Sequence, residues 1–376
     1  MDKTRYLPLL CMTALLAVSS CGGKFFPEPC KTNCNPGNSG DYIYVANSST
    51  TAPSVAGFTI ASSALSNLAN SPYTTGLPPN TLAVTPNNSF LYVGSLSGGI
   101  YAYTINSNGT ITVANNGSPV ATGVSPITMK VDPTGKWLIA ADLSPQAYVF
   151  AIDTSTGALT TQGNPIALDA GATTNLYITP NGQNVYVSLG TGGVDILTFN
   201  SSSGTLTKLN QILHPKSSNN ADFGLASDPN SKYLFVTETG INSLRILTIN
   251  TTGSTALTEL STSPVKTGLG PSQVLVTTDG SYVYVTNRTD GTISGFTLTA
   301  NGSLTPISGS PYATGSAPVD IMEDQSHGYI AVACAAGNPD MQVFKIDTTT
   351  PGKLDAFASK ATGTDPALAS AIAGTQ

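Results

Sequence analysis

The chain has 376 residues, enough for two ordinary domains or for one large all-β domain. Only 10% of the residues are charged, and the net charge of -6 comes without any cluster of Lys or Arg. This composition excludes a nucleic-acid binder, which needs a basic face. Apolar and β-branched residues are plentiful and the net charge is small, which excludes an intrinsically disordered chain.

Residues 1–20 have the pattern of an export signal. Lys3 and Arg5 precede an apolar run over residues 7–18, which is shorter than the roughly 20 residues that a membrane span needs. The run ends in Val18-Ser-Ser-Cys21, which resembles a bacterial lipobox. The resemblance implies cleavage before Cys21 and a lipid anchor of several acyl chains on it. Because Gly22 and not Asp follows, we expect an exported cell-envelope lipoprotein, at the outer membrane or facing the periplasm; a plain secretory signal is the alternative.

Residues 21–40 are rich in Gly, Pro and Asn, and this composition predicts a flexible tether. Cys30 and Cys34 lie in it and can form a local disulfide in an oxidising compartment. Two thiols without a nearby His or a second Cys pair cannot complete a tetrahedral metal shell, so no metal is assigned. Cys334 lies in an apolar run and is expected to be a buried thiol. No cofactor motif is present, and no cofactor is expected.

Seven copies of one unit follow the tether. Each copy is centred on a Tyr-Val pair or its equivalent, and successive copies are 46 to 49 residues apart, at Tyr44, Tyr92, Ile139, Tyr186, Phe235, Tyr284 and Ile330. A full copy contains four short β-branched runs separated by turn residues; in the sixth copy they are residues 272–278, 282–287, 292–298 and 302–307. Seven repeats of four strands predict an all-β protein, a seven-bladed β-propeller.

The ends of the chain predict how the ring closes. The first copy begins at its second strand, while an extra apolar run at residues 365–374 follows the last copy. We therefore expect that C-terminal strand to complete blade 1. A single domain is predicted at 41–376, with blades near residues 41–75 together with 365–374, 78–123, 124–168, 171–214, 220–268, 269–315 and 316–362.

The repeated phrase Tyr284-Val-Thr-Asn287 resembles the YVTN group of propellers and the lactonase-like seven-bladed family that includes bacterial 6-phosphogluconolactonase. Family members with lactonase or muconate-cyclising activity use a histidine, a glutamate and arginines near the central channel. The resemblance implies that Glu238, at the end of the second strand of blade 5, is a catalytic residue. It implies the same for Arg288, which follows Asn287 in blade 6 and would stabilise an oxyanion.

The chain departs from the family pattern at the histidine. Where the family has Gly-Pro-Arg-His before the first strand of blade 5, this chain has Ala221-Asp222-Phe223-Gly224. The two histidines, His214 and His327, lie elsewhere in the sequence. Asp222 is the nearest residue in sequence that could activate water.

Less specific interpretations stay open for these residues. Arg288 can pair with Asp290 in an exposed turn, a contact worth about 0–1 kcal/mol. Asn287, Asp222, Asp142 and Asp320 are candidates for ligand binding at the same channel mouth, although Asp is common in turns. Trp137 occupies an apolar strand position and is expected to pack in the core.

Two functions are compatible with these features. The leading hypothesis is a monomeric, lipid-anchored binding or scaffold module, whose partner is a protein, a cell-wall component or a small ligand at the channel mouth. The alternative is a lactone hydrolase, a carboxylic ester hydrolase similar to 6-phosphogluconolactonase, that uses Glu238 and Arg288. An electron-transfer propeller is disfavoured because the chain has no CxxCH motif.

Overall fold

The computed structural model describes residues 40–61, 64–218, 220–251, 255–368 and 370–376. These residues form 32 β-strands and two single 3-10 turns, at Asn115–Gly117 and Thr239–Ile241. None of the helices in this part of the chain is long and apolar enough to cross a membrane. Cys21, Cys30 and Cys34 lie outside the described residues.

The strands form seven antiparallel sheets of four or five strands each, and each sheet is one blade. Blade 1 consists of β1 (Tyr42–Asn47), β2 (Ser54–Ala61), β3 (Ala64–Asn67), β4 (Tyr73–Thr74) and β32 (Ile372–Gly374). Blade 2 consists of β5 (Thr81–Val84), β6 (Phe90–Ser95), β7 (Gly99–Ile105) and β8 (Ile111–Val113). Blade 3 consists of β9 (Pro126–Val131), β10 (Trp137–Asp142), β11 (Gln146–Ile152), β12 (Leu159–Thr161) and β13 (Ile166–Ala167).

The remaining blades have the same order from the channel outward. Blade 4 consists of β14 (Asn175–Ile178), β15 (Asn184–Ser188), β16 (Val194–Asn200) and β17 (Thr205–Leu213). Blade 5 consists of β18 (Asp222–Ser227), β19 (Tyr233–Glu238), β20 (Ser243–Ile249), β21 (Leu257–Glu259) and β22 (Val265–Lys266). Blade 6 consists of β23 (Pro271–Val276), β24 (Tyr282–Asn287), β25 (Thr292–Leu298), β26 (Leu304–Pro306) and β27 (Tyr312–Ala313). Blade 7 consists of β28 (Pro318–Glu323), β29 (Tyr329–Cys334), β30 (Met341–Ile346) and β31 (Leu354–Lys360).

The C-terminal strand closes the ring, which confirms the predicted architecture. β32 lies against β1 with Ile43 opposite Gly374 and Val45 opposite Ile372. The preceding residues also follow β1, because the Ala46 N–H donates to the Ala371 carbonyl at 2.8 Å and Ala46 accepts from the Ala367 N–H at 2.8 Å. The innermost strands then contact one another in order around the channel.

The ring has two distinct faces. We call the upper face the end at which the second strand of each blade finishes, as at Glu238 and Asn287. The lower face is the opposite end, where the turns between the first and second strands and between the third and fourth strands lie. The described chain enters the ring at Gly40 on the lower face, and its C-terminus returns there, since the Thr375 hydroxyl donates to the Gly40 carbonyl at 2.7 Å.

Neighbouring blades are joined on the lower face by a repeated aromatic contact. An aromatic side chain at the start of a second strand lies over a glycine with φ between 70° and 83° in the outer turn of the next blade. The pairs are Tyr42 with Gly109, Phe90 with Gly157, Trp137 with Gly204, Tyr233 with Gly302 and Tyr282 with Gly352. Trp137 therefore packs between blades 3 and 4, where its Nε1 also donates to the Ser201 carbonyl at 2.7 Å.

Candidate functional site

Two carboxylic acids are paired on the upper face of blade 5. Glu238 ends β19 and lies opposite Asp222, the first residue of the innermost strand β18. Both side chains are fully buried. The repeated blade unit places them here, because the second strand of every blade ends beside the start of the first strand.

Glu238 is held by a buried cation from its own blade. Its Oε1 lies 3.1 Å from Nη1 of Arg245 on β20, and it accepts a 3.0 Å hydrogen bond from the Lys216 N–H. Arg245 is only 5% exposed; its Nη1 also donates to the His214 carbonyl at 2.8 Å and its Nη2 to Glu259 at 3.0 Å. The acid is thus fixed within an internal network of charges.

Glu259 and Lys216 extend this network toward solvent, where the Lys216 ammonium lies 2.7 Å from the Glu259 carboxylate. Burial alone would raise the pKa of Glu259, but hydrogen bonds from Lys216 and Ser263 and the charge of Arg245 hold that pKa below its usual value.

The sequence analysis did not identify Arg245 as a site residue. The available signal was a single arginine within the otherwise apolar run Ser-Leu-Arg-Ile-Leu.

Asp222 is the acid of the pair that lacks compensation. Burial, together with the negative charge of Glu238, raises the pKa of Asp222 to about 7, although the positive charge of Arg245 opposes the rise. Neither carboxylate oxygen of Asp222 accepts a hydrogen bond from a donor group among the described residues, and the same holds for Glu238 Oε2; the two carboxyl groups face each other. Two carboxylates can share a hydrogen bond only when one is protonated, so a proton on Asp222 stabilises the pair near neutral pH.

Gly224, which the family resemblance places at the histidine position, has no free space around it. A Cβ on Gly224 would lie 2.6 Å from the Gln273 Cα and 2.6 Å from the Ser272 carbonyl oxygen, both in the innermost strand of blade 6. The Gly224 N–H donates to the Thr237 hydroxyl at 2.7 Å. Strand β18 therefore packs directly against the backbone of β23, and a side chain at this position requires the two strands to separate.

The two residues singled out in blade 6 have different environments. The Asn287 side chain is fully buried, and its Nδ2 donates to the Thr292 and Ser294 hydroxyls, each at 2.9 Å. Arg288 is partly exposed; its backbone N–H donates to the Gly270 carbonyl at 2.8 Å. Among the described residues, no ion pair joins Arg288 to Glu238 or to Asp290. Asn287 thus stabilises its own blade.

Asp142 and Asp320 lie in other blades. Asp142 ends β10 of blade 3, and burial raises its pKa although a hydrogen bond from Tyr148 opposes the rise. Asp320 lies in the innermost strand of blade 7, where burial raises its pKa and its Oδ2 accepts the Ile372 N–H at 3.0 Å. The carboxylate of Asp320 thus helps to hold the closing strand β32.

The histidines and the described cysteine lie apart from the paired acids. The His214 side chain is exposed, and it is the main chain of His214 that contacts Arg245. His327 lies in a lower-face turn, with its Nδ1 3.5 Å from Glu323. Cys334 is a buried free thiol. Within the ranges that the structure describes, no group of three or more His, Cys, Asp and Glu side chains is arranged to hold a metal ion.

Comparison with known proteins identifies the class. The model of the lactonase family of seven-bladed β-propellers matches residues 43–370, and the chain belongs to that family. Comparison with curated protein sequences gives no match.

Two solved structures illustrate how widely the fold is shared. A protein of Lactobacillus plantarum is 21% identical, with 90% of this chain and 100% of that chain covered and a TM-score of 0.71. The periplasmic gluconolactonase of Pseudomonas aeruginosa is 16% identical, with 90% and 99% covered and a TM-score of 0.70. At these identities the likeness concerns the fold.

The raised pKa of Asp222 predicts a pH dependence of stability. The folded protein binds a proton on Asp222 up to about pH 7, whereas the unfolded chain releases it near the ordinary value of 3.8. The free energy of unfolding therefore falls as the pH rises from about 4 to about 7, by about 1.4 kcal/mol for each unit of pKa difference. Asp222→Asn removes the contribution of Asp222 and leaves that of other buried acids such as Asp41, whose pKa is raised to about 8, chiefly by burial, and we expect the variant to be more stable than the wild type at pH 8.

The measurement is urea unfolding between pH 4 and pH 8. Asp290→Asn, at an exposed aspartate, is the matched control and should follow the wild-type curve. Parallel curves for the wild type and Asp222→Asn would contradict the prediction.

Proposed function

We propose that this member of the lactonase family is a binding module of the cell envelope that does not hydrolyse lactones. The observation that carries the proposal is the packing at Gly224, where the backbone of blade 6 fills the space that a histidine side chain would need. A general base must lie within hydrogen-bond reach of the proton that it removes. The chain offers no histidine at this place.

The state of Glu238 supports the same conclusion. An acid that serves a substrate has to present an oxygen to the channel mouth, whereas Glu238 is fully buried and its Oε1 is engaged by Arg245 and by the Lys216 N–H. Arg288 makes no described contact with it. Hydrolysis by Glu238 and Arg288 is the alternative function, and family membership alone favours it.

The proposal predicts that residues 35–376 do not accelerate lactone hydrolysis. Proton release is followed with 6-phosphogluconolactone, glucono-δ-lactone and a homoserine lactone, each corrected for spontaneous hydrolysis. The wild type and the double variant Glu238→Gln/Arg288→Ala should both remain at background. A rate that is present in the wild type and lost in the double variant would establish the hydrolase instead.

The exposed apolar side chains favour binding on the upper face. Of the five large apolar side chains that are exposed among the described residues, four lie there: Leu96, Leu143, Leu269 and Leu368, which are 39% to 63% exposed. We call them the upper-face leucines. Leu96 and Leu143 are linked through Ser125, whose hydroxyl donates to the Leu96 carbonyl at 3.1 Å and whose carbonyl accepts the Leu143 N–H at 3.1 Å.

Contiguous exposed apolar side chains are typical of surfaces that bind other proteins, and Leu96 and Leu143 lie on adjacent blades. The described chain begins on the lower face, so a tether preceding Gly40 starts at the face opposite the upper-face leucines. A protein partner with a complementary apolar surface is therefore the occupant that we propose for the upper face.

The double variant Leu96→Ser/Leu143→Ser is expected to lose this partner. Affinity isolation from envelope extracts of the host, followed by mass spectrometry, should recover a protein with the wild type that is depleted at least tenfold with the variant. Val113→Ser is the matched control, because Val113 is 48% exposed but lies on the outermost strand of blade 2. Equal recovery with all three proteins would exclude the leucines as the binding surface.

We also propose that the protein is held in the envelope by a lipid on Cys21, as the lipobox-like sequence implies. Cys21→Ala should abolish labelling by a fatty-acid probe and release the protein from the membrane fraction. Retention of the label in Cys21→Ala would exclude this anchor.

A further inference from the structure

Two acids meet at the lower end of the seam between blades 7 and 1. Blade 1 has no turn between its first and second strands, because its first strand, β32, comes from the other end of the chain. Asp41, the residue directly before β1, lies at this end of blade 1 and contacts the turn of blade 7 at residues 324–328. The Gln325 N–H donates to Asp41 Oδ1 at 3.4 Å, and the carboxyl groups of Asp41 and Asp324 face each other. We call these two residues the seam acid pair.

Asp324 has a structural role that repeats around the ring. It caps its own turn, where its Oδ1 accepts the Tyr329 N–H at 2.7 Å and the Gly328 N–H at 3.0 Å. Asp132 in blade 3 and Asp228 in blade 5 cap the equivalent turns in the same way, and threonine hydroxyls do so in blades 2, 4 and 6. The blade repeat therefore accounts for an acid at position 324.

The blade repeat does not account for Asp41, which is the only acid at its position. The residues directly before the second strands of the other blades are Ser89, Lys136, Gln183, Lys232, Ser281 and Gly328. The blades that follow the other two turn acids, Asp132 and Asp228, thus have the uncharged residues Gln183 and Ser281 at this position. Of the three junctions with a turn acid, the seam is the one that places a second acid beside it.

A proton decides whether this contact is favourable. Two carboxyl groups hydrogen-bond to each other only when one of them is protonated, and they repel when both are ionised. Burial, together with the hydrogen bond to Asp324 and the charge of Asp324, raises the pKa of Asp41 to about 8, although the Gln325 N–H opposes the rise. Near neutral pH the seam acid pair is therefore held together by a proton on Asp41.

The other titratable groups around the seam acid pair have contacts elsewhere. Glu323, on the same side of blade 7, accepts two hydrogen bonds from the turn of blade 6, at 2.7 and 2.8 Å. His327 lies with its Nδ1 3.5 Å from Glu323. In blade 1, the Tyr42 hydroxyl donates to a carbonyl of blade 2 at 2.9 Å. Among the described residues, Asp324 is thus the charged group that acts on Asp41.

We propose that the seam acid pair is a proton-operated clasp, which docks the start of β1 on blade 7 while it holds one proton and releases it when that proton is lost. Once released, Asp41 has the ordinary aspartate pKa of 3.8. Docking therefore weakens about tenfold for each pH unit between about pH 4 and about pH 8, and no further above that range. The clasp concerns the closure of the ring and does not rest on the proposed function.

Hydrogen exchange at single amides of the full chain measures the opening of the clasp. The Gln325 amide donates to Asp41 and reports the clasp directly. The Trp137 amide, which donates to the turn acid Asp132 in blade 3, is the internal control. After correction for the intrinsic pH dependence of exchange, the opening constant should rise between pH 6 and pH 8 at least tenfold more at Gln325 than at Trp137.

Three substitutions form a matched set. Asp41→Asn retains a hydrogen-bond donor for Asp324 but cannot ionise, so the additional rise at Gln325 should be lost. Asp324→Thr introduces the threonine cap of blades 2, 4 and 6 and removes the partner acid, so it should have the same effect. Asp355→Asn, at an exposed aspartate on the outermost strand of blade 7, should follow the wild type.

Each outcome bears on the clasp alone. Equal rises at Gln325 and Trp137 in the wild type would show that the ring opens as a whole, and would overturn the proposal. Persistence of the additional rise in Asp41→Asn would overturn it as well, and this variant decides the matter even where Asp324→Thr does not fold. Lactone hydrolysis or loss of the upper-face partner leaves these outcomes unaffected.

Discussion

Each blade of this protein has two apolar faces and can bury them only against the blades on either side. The second strands show this constraint most clearly, because a strand such as β6 is buried along its whole length. A terminal blade would expose one of its apolar faces, so the blades form a closed ring. The C-terminal strand β32 pairs with β1, completes blade 1 and closes the ring. Closure brings the two described ends of the chain together on the lower face and leaves the upper face unobstructed.

Blade 5 keeps this packing while it buries charge. Gly224 lets the innermost strands of blades 5 and 6 approach backbone to backbone, and the amide of Asn175 in blade 4 reaches Gln273 in blade 6 at 2.8 Å across the channel side of this contact. Of the two acids beside it, Glu238 is paired with Arg245, and the pKa of Asp222 is raised to about 7, chiefly by burial. The charged groups of blade 5 thus contact one another. An active site would instead present an acid and a base to a substrate.

On the lower face, aromatic side chains fill five of the junctions between neighbouring blades. Aromatic rings over turn glycines make the blades interlock, and tyrosine hydroxyls add a second link at three junctions. At the start of the second strand of blade 4 the equivalent position is Asn184.

The sequence by itself determined the number of blades, the four-stranded unit and the closure by the C-terminal strand, because these follow from local runs that repeat along the chain. It also located Asp222 and Glu238 at one end of blade 5. Only the tertiary structure decided that the cation of Glu238 is Arg245, from the adjacent strand, and that Arg288 makes no described contact with it. The reason is physical: an ion pair depends on which side of a strand each charge faces and on what surrounds it. The filled space at Gly224 likewise depends on a neighbouring blade, because the atoms that fill it belong to Ser272 and Gln273 of blade 6.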